Sequence, residues 1–347
     1  MAVNILLSFA FHADTDLTAV RANLVCGNLM IDSGAFTAWS KGKPVKLGDY
    51  AAYLERYRGC WDHAITLDVI GDGKASAVNT RRLHERGLPV MPVFTRGDKL
   101  ADFDAMVREV GYVCVGGLVG LPAAAQRQRV GMLQRRAADA GGGVHALGIG
   151  SMATLRATRP YSADASNISG AFRFGSIVYF NGRDIVSTQV GDRARLLRDR
   201  AHLLDHGIDL ALLGRTGRMP GRAEGRGALM QAMSLAYACA DEQLKRTGPV
   251  TPPREGAAPG PHLYNSVIGQ GGGKQVTDVA WTAALDRRLH PGPHLYNSIT
   301  PEFGLEPAAG LDRELHAATD GAIPPLWRKH GSRHTCFRRT SPHAHST

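Results

Sequence analysis

The chain has 347 residues, a mass of 37.2 kDa and 44% hydrophobic residues, enough apolar content for one large core, so an extended disordered protein is excluded and a barrel-sized domain with an appendage is allowed. Its 41 Lys+Arg against 31 Asp+Glu give a formal charge of +10 and a pI near 9.6, which suits a polyanionic partner such as nucleic acid or, more plainly, a basic soluble protein. Cys26, Cys60, Cys114, Cys239 and Cys336 form no C-x-x-C pair, which argues against a zinc ribbon or a disulfide framework, and no apolar run approaches the roughly 18–20 residues needed to cross a bilayer. These features lead us to expect a soluble, non-exported, cytoplasmic protein with no membrane partner.

Residues 4–10 read as a first buried strand, followed by a loop carrying His12, Asp14 and Asp16. A second strand, within 28–36, runs Asn-Leu-Met-Ile and then stops on Asp32, Ser33 and Gly34. Tyr50, Tyr53, Leu54 and Tyr57 recur at helical spacing and predict a helix over Leu47–Tyr57. Strands at 63–68, 89–94, 112–118 and 144–149 alternate with helices at 75–86, 100–110 and 123–140. Strands separated by single helices specify βαβ units and a parallel sheet. A short seventh strand near 161–166 precedes an inserted hairpin within 172–188, turning at Asn181-Gly182. A charged helix at 192–206, an eighth strand over Gly207–Leu213 and a closing helix over Ala228–Lys245 complete an α/β, TIM-type (β/α)8 barrel over residues 1–247.

Beyond Thr247 the composition shifts to Pro and Gly, which places a boundary there and leaves 248–327 as a small C-terminal extension. That extension carries Pro-Gly-Pro-His-Leu-Tyr-Asn-Ser twice, from Pro259 and from Pro291. Two copies are too few for a solenoid; they are either equivalent parts of a duplicated element or a duplication without structural meaning. Residues 328–347, basic and histidine-rich, read as a disordered tail whose histidine spacing matches no standard metal site.

Polar and glycine residues gather at one end of every strand, where a parallel barrel builds its active site. Asp32, Asp68 and Asp164 all fall there, and carboxylates facing one another across a sugar can break a glycosidic bond. Each aspartate alone is equally well a helix cap. Gly116-Gly117 admits a ligand close to the backbone or makes a tight turn, and Gly148-Ile149-Gly150-Ser151 offers amides to a phosphate, though without a full dinucleotide or Walker pattern. Phe36 is placed to stack on a planar base or to fill the core, and His145, inside an apolar strand, reads as structural.

These residues resemble a known family. Asp32-Ser33-Gly34-Ala35-Phe36 is similar to the Asp-Ser-Gly-Gly-Phe/Tyr motif of the tRNA-guanine transglycosylase superfamily. In that family's order follow Val115-Gly116-Gly117-Leu118, His145-Ala146-Leu147-Gly148-Ile149-Gly150 and Ser162-Ala163-Asp164, over about residues 28–170. The resemblance implies Asp164 as nucleophile on the ribosyl C1′ and Asp32 as general acid/base. It further implies that Asp68, Ser33 and the backbone at Gly117 and Leu118 read the purine edge, with Gly116 and Gly148 lining the pocket and Phe36 and Leu147 covering the base faces.

Two departures stand out. The family's Cys-x-Cys-x-x-Cys zinc motif is absent, which implies no metal and no cofactor, and Thr95-Arg96-Gly97 stands where the family has a base-reading Gln. A zinc-less chain of this kind looks most like the DpdA-type DNA-guanine transglycosylases of bacteriophages and bacterial DNA-modification clusters. The implied partners are then DNA and a 7-deazaguanine base such as 7-cyano-7-deazaguanine. The implied role is DNA hypermodification against restriction, in a host cytoplasm if the protein is phage-encoded. Arg173, Arg183, Arg215, Arg218, Arg222 and Arg226 are candidate phosphate contacts or solvated surface. A transglycosylase acting on tRNA, a nucleic-acid-binding barrel without catalysis and a conventional glycoside hydrolase remain the alternatives, and the oligomeric state stays open.

Overall fold

The computed structural model describes residues 3–23, 26–40, 42–166, 171, 174–210, 226–248, 250, 253 and 260–267. The chain alternates strands and helices as the hydrophobic periodicity requires. β1 (Val3–Ser8) leads through α1 (Phe9–His12) and α2 (Leu17–Asn23) to β2 (Cys26–Asp32), then α3 (Ala35–Ser40), α4 (Leu47–Arg56) and β3 (His63–Ala64). α5 (Gly73–Glu85), β4 (Val93–Phe94), α6 (Leu100–Val110), β5 (Tyr112–Val115), α7 (Ala123–Asp139), β6 (Gly143–Ala146), α8 (Met152–Thr158) and β7 (Ser162–Ala165) follow. The hairpin β8 (Ser176–Phe180) and β9 (Ile185–Gln189) is antiparallel, and its turn contains Asn181-Gly182 as expected. α9 (Arg193–Arg198), α10 (Arg200–Asp205), α11 (Arg226–Arg246) and β10 (His262–Val267) complete the described chain.

Eight strands make one curled parallel sheet in the order β3-β2-β1-β10-β7-β6-β5-β4, with helices packed around it as in a TIM-like fold. Its two end strands are tied by a parallel bridge between Ile65 and Met91, through Thr66 N–H to Met91 O at 2.9 Å and Met91 N–H to Ala64 O at 2.7 Å. β3 and β4 are short because Pro89 and Pro92 remove ladder donors just where the 89–94 segment would otherwise extend.

Side-chain alternation then sorts the core. Leu6, Met30, Ile65, Met91, Val93, Tyr112, Cys114, Tyr161 and Tyr264 form one buried group, a set drawn from facing positions around the sheet. The opposite positions, such as Ile5, Leu7, Leu29 and Ile31, pack with Tyr50, Tyr53 and Leu54 of α4, while Val113, Val115, Val144 and Ala163 pack with α6, α7 and α11. The Tyr50 hydroxyl, buried in that layer, donates to the Ile65 carbonyl at 2.7 Å and so fastens α4 to the sheet.

Several expectations need correction. Gly207–Leu210 is a turn running into a single helical residue, and the remainder of Gly207–Leu213 lies outside the described residues. The eighth place in the sheet belongs to β10, which pairs in parallel with β1 and β7. That strand holds the last five residues of the first octapeptide, so a boundary at Thr247 would cut the sheet from one of its own strands. The charged helix at 192–206 is two helices meeting at Asp199. Cys239, on α11, is disulfide-bonded, which departs from the expectation of unpaired thiols, while Cys60 and Cys114 are free. The second octapeptide and the tail lie outside the described residues, and no described helix is long and apolar enough to cross a membrane.

Gly34 connects β2 to α3 with φ of 75°, and a Cβ there would stand 2.5 Å from both Ala10 Cβ and Ser8 Oγ. Gly34→Ala therefore combines left-handed strain with overpacking and is expected to lower folding stability by about 3 kcal/mol, measured as a shift in the urea midpoint. An unchanged midpoint would show that β1 and the β2–α3 turn do not approach as described.

Candidate active site

The parallel direction of the sheet brings the ends of β1, β2, β3, β6, β7 and β10 to one mouth. Ser8 and Asp32 are register partners there, as are Tyr264 and Asp164 one strand pair away. Asp68 follows the short β3. The three aspartates predicted from strand endings therefore converge, and both Asp68 and Asp164 are near enough for their charges to act on Asp32.

Their environments differ. Burial pushes the Asp32 carboxyl up to about 7, and the neighbouring carboxylates of Asp68 and Asp164 add to this. The opposing pull is weak: Gly34 N–H donates to Oδ2 at 2.9 Å, and Ser8 lowers the value slightly without forming a well-made hydrogen bond. Asp68 is pushed up to about 6 by burial, with its own backbone N–H opposing. Burial alone would raise Asp164 as well, yet its partners outweigh burial and hold it below the ordinary carboxylate value.

Those partners form a shell around Asp164. His145 Nε2 stands 3.4 Å from Oδ1, Gly148 N–H donates to Oδ1 at 2.8 Å, and the Ser266 hydroxyl donates to Oδ2. Behind His145, its Nδ1 lies 2.5 Å from Ser162 Oγ, which in turn bonds the Tyr112 hydroxyl. With Tyr112 donating to Ser162 and Ser162 donating to Nδ1, the imidazole turns Nε2–H toward the carboxylate, at ion-pair distance rather than in a well-made hydrogen bond. The reverse direction would aim a lone pair at a negative charge. A string of polar side chains from β5, β7 and β6 thus ends on one oxygen of Asp164.

The remaining sequence candidates divide. Gly116 is buried, and a Cβ there would touch Val93, Thr95 and Leu147, so it lets β4, β5 and the post-β6 loop close together. Gly117 is exposed with φ of 66°, and Leu147 is partly buried against the sheet interior. Gly148 also takes positive φ, but its N–H is committed to Asp164, and the Ser151 hydroxyl accepts from Thr154 N at 3.4 Å as a helix cap; the phosphate-cradle reading loses both groups. Ser33 is fully buried, and its Oγ accepts from Ala35 N at 3.4 Å within the turn that leads into α3. The Leu118 side chain is buried in the helix-facing core, and its carbonyl accepts from Gln126 at 3.1 Å.

Phe36 is no core residue. It is 63% exposed beside Trp39 at 61%, with ring centroids 6.2 Å apart. In the loop after β4, Thr95 N and Oγ1 both donate to Asp98 and Arg129 donates to the Thr95 carbonyl, which fixes the turn and leaves Arg96 at the surface. Arg183 lies in the β8–β9 turn with its carbonyl held by Arg156 near the end of α8 and its own side chain exposed beside Asp184. Arg173, Arg215, Arg218 and Arg222 fall outside the described residues, as does the side chain of Arg226. Sequence reading missed Ser8, Tyr112, Ser162 and Ser266, and it set His145 aside. The usable signal was alternation, since each lies at an inward position two residues from another inward residue.

No group of three or more His, Cys, Asp or Glu arranged to hold a metal is found among the described residues. No protein-family model matches the chain, and no curated protein matches it.

The Asp32 shift has a measurable consequence. A carboxyl raised in the folded state contributes stability that is fully present below its ordinary value of 3.8 and is lost as the pH rises through about 7. Asp32→Asn, which stays neutral, should therefore gain stability relative to wild type as the buffer is taken from about pH 4 to about pH 8. Urea midpoints for both proteins across that range check this; a pH-independent difference would mean that Asp32 is not raised.

Proposed function

We propose that the chain is a (β/α)8-barrel DNA-guanine transglycosylase that exchanges guanine in DNA for a 7-deazaguanine base by double displacement. The observation carrying this reading is the convergence of two carboxyls in unlike surroundings. Asp164 sits among His145, the Gly148 N–H and the Ser266 hydroxyl, which favour its ionised form. Asp32, buried beside two other carboxylates with one backbone donor, is raised to about 7 and so keeps its proton up to near-neutral pH. Pairs whose environments push their values apart assign themselves as nucleophile and acid/base.

In the first displacement an Asp164 oxygen bonds to the deoxyribose C1′ while the bond from C1′ to guanine N9 breaks, and Asp32 gives its proton to the departing base. The covalent glycosyl-aspartate keeps the site loaded. In the second, N9 of the entering base attacks C1′, the ester to Asp164 breaks, and Asp32 recovers a proton from that N9. Two inversions at one carbon give net retention. Asp68, itself raised, presents a carboxyl to the purine edge. Gly117 keeps the pocket wall thin, and Leu147 and the exposed Phe36 are offered to the base faces. His145 and Ser266 orient Asp164.

A base inside a duplex cannot reach C1′ chemistry of this kind, so the target nucleotide is unstacked before reaction, at a cost of a few kcal/mol that the net charge of +10 helps offset through phosphate contacts. DNA is preferred over tRNA here because the family's zinc motif, which supports tRNA binding in the relatives it resembles, is missing from the sequence.

The test is base exchange. The protein is incubated with 7-cyano-7-deazaguanine and either DNA or tRNA, and the digested nucleosides are analysed by mass spectrometry. A deazapurine deoxynucleoside is expected from DNA, absent with Asp164→Ala and reduced about 10²–10⁴-fold with Asp32→Asn. Guanine release should fall as the pH rises past about 7, since the first displacement needs Asp32 protonated. Modified tRNA alone would move the substrate assignment to tRNA, and no product from either would reject the exchange reading.

A further inference from the structure

β10 is seated by its sequence at nearly every residue. Gly260 has no room for a side chain, because a Cβ there would stand 2.6 Å from the Tyr161 carbonyl oxygen. His262 N–H donates to that same carbonyl at 3.0 Å, and its ring meets Tyr161 edge-on with centroids 5.3 Å apart. Leu263 is 1% exposed in the helix-facing core, and its N–H donates to the buried Asp241 carboxylate of α11 at 2.7 Å. Tyr264 fills the sheet interior against His145, Asn265 is buried, and Ser266 donates to Asp164. The slot between β1 and β7 therefore reads Gly-Pro-His-Leu-Tyr-Asn-Ser as a sequence rather than accepting any apolar strand.

The same chain contains that sequence again, letter for letter, at Pro291–Ser298, with Ile299 where the first copy continues into Val267. We propose that the slot between β1 and β7 is a strand-binding site with two claimants in the same chain. The copy at Pro291–Ser298 replaces Pro259–Ser266 there, bringing Leu295 to Asp241 and Ser298 to Asp164. What differs is the connection. From the end of α11 the first copy is reached through residues 247–261 and the second through 247–293, that is 15 against 47 residues. Because both copies offer identical contacts, these cancel and loop closure alone sets the preference, about five-fold for the shorter connection. The first copy is therefore the main occupant, and the second is a reserve that takes over when the first is damaged. This inference does not depend on the chemistry proposed for the mouth.

Leu263→Asp, Leu295→Asp and the double variant of the full chain separate the possibilities. Leu295→Asp should match wild type. Leu263→Asp should keep a cooperative urea transition, because a carboxylate in the leucine pocket ejects the first copy and admits the second, while the double variant should lose that transition. Hydrogen exchange identifies the occupant: in Leu263→Asp, slow amides should move from 262–267 to 294–299. If Leu263→Asp unfolds like the double variant, or the double variant remains as cooperative as wild type, the proposal is overturned. If Leu263→Asp folds only as a concentration-dependent dimer, the claimant comes from another chain and the same-chain assignment is overturned.

Discussion

The ionised Asp164 carboxylate is the constraint on which most of the polar interior depends. A buried charge is tolerated only when hydrogen-bonded on several sides, and Asp164 takes its partners from the β6 strand, the turn after it and the β10 strand. The β6 strand with its turn and the β10 strand lie more than 100 residues apart in the sequence, so the carboxylate ties their registers together. Tyr112 and Ser162 extend the tie to β5 and to β7 itself. Asp32, with one backbone donor and two like-charged neighbours, has nothing comparable. Both carboxyls are buried, and they differ because Asp164 has partners that outweigh burial while at Asp32 burial is only weakly opposed and like charges add to it.

β10 carries this logic outward. Asp241, on the longest described helix, uses one carboxylate oxygen to accept the Leu263 N–H and the other to pair with Lys245. Asn4 of β1 donates to the Leu263 carbonyl at 3.4 Å, so strand and helix grip the same residue from both sides. A segment reached only after α11 and a Pro/Gly-rich connection is built into the middle of the sheet, and it contributes one of the groups that hold Asp164 ionised.

Much of the fold was legible in the sequence because hydrophobic alternation and glycine stops are local signals. Leu100–Val110 was bounded correctly by its apolar spacing, with Gly111 supplying the left-handed stop, and the hairpin at Ser176–Gln189 was marked by Asn181-Gly182. The eighth strand was not legible. His262–Val267 is only half apolar, sits among prolines and glycines, and earns its place through partners more than 100 residues away, such as Asp164. At the mouth, strand-end aspartates could be read from position alone. The burial of the Ser33 hydroxyl in the turn into α3 could not, since which way a serine faces depends on the direction of a turn of two residues.

β3 and β4 meet more thinly than any other neighbours in the sheet. Elsewhere neighbouring strands share ladders of two to five register pairs, but here a single bridge at Ile65 and Met91 spans the gap, because Pro89 and Pro92 withhold donors. The ring is consequently most compliant along one seam, and the loops that leave it carry Asp68 on one side and Thr95-Arg96 on the other. Opening of a few backbone bonds would widen the mouth there while Asp164, anchored across the ring, stays fixed. Motion confined to that seam would leave the hydrogen-bonded surroundings of Asp164 intact.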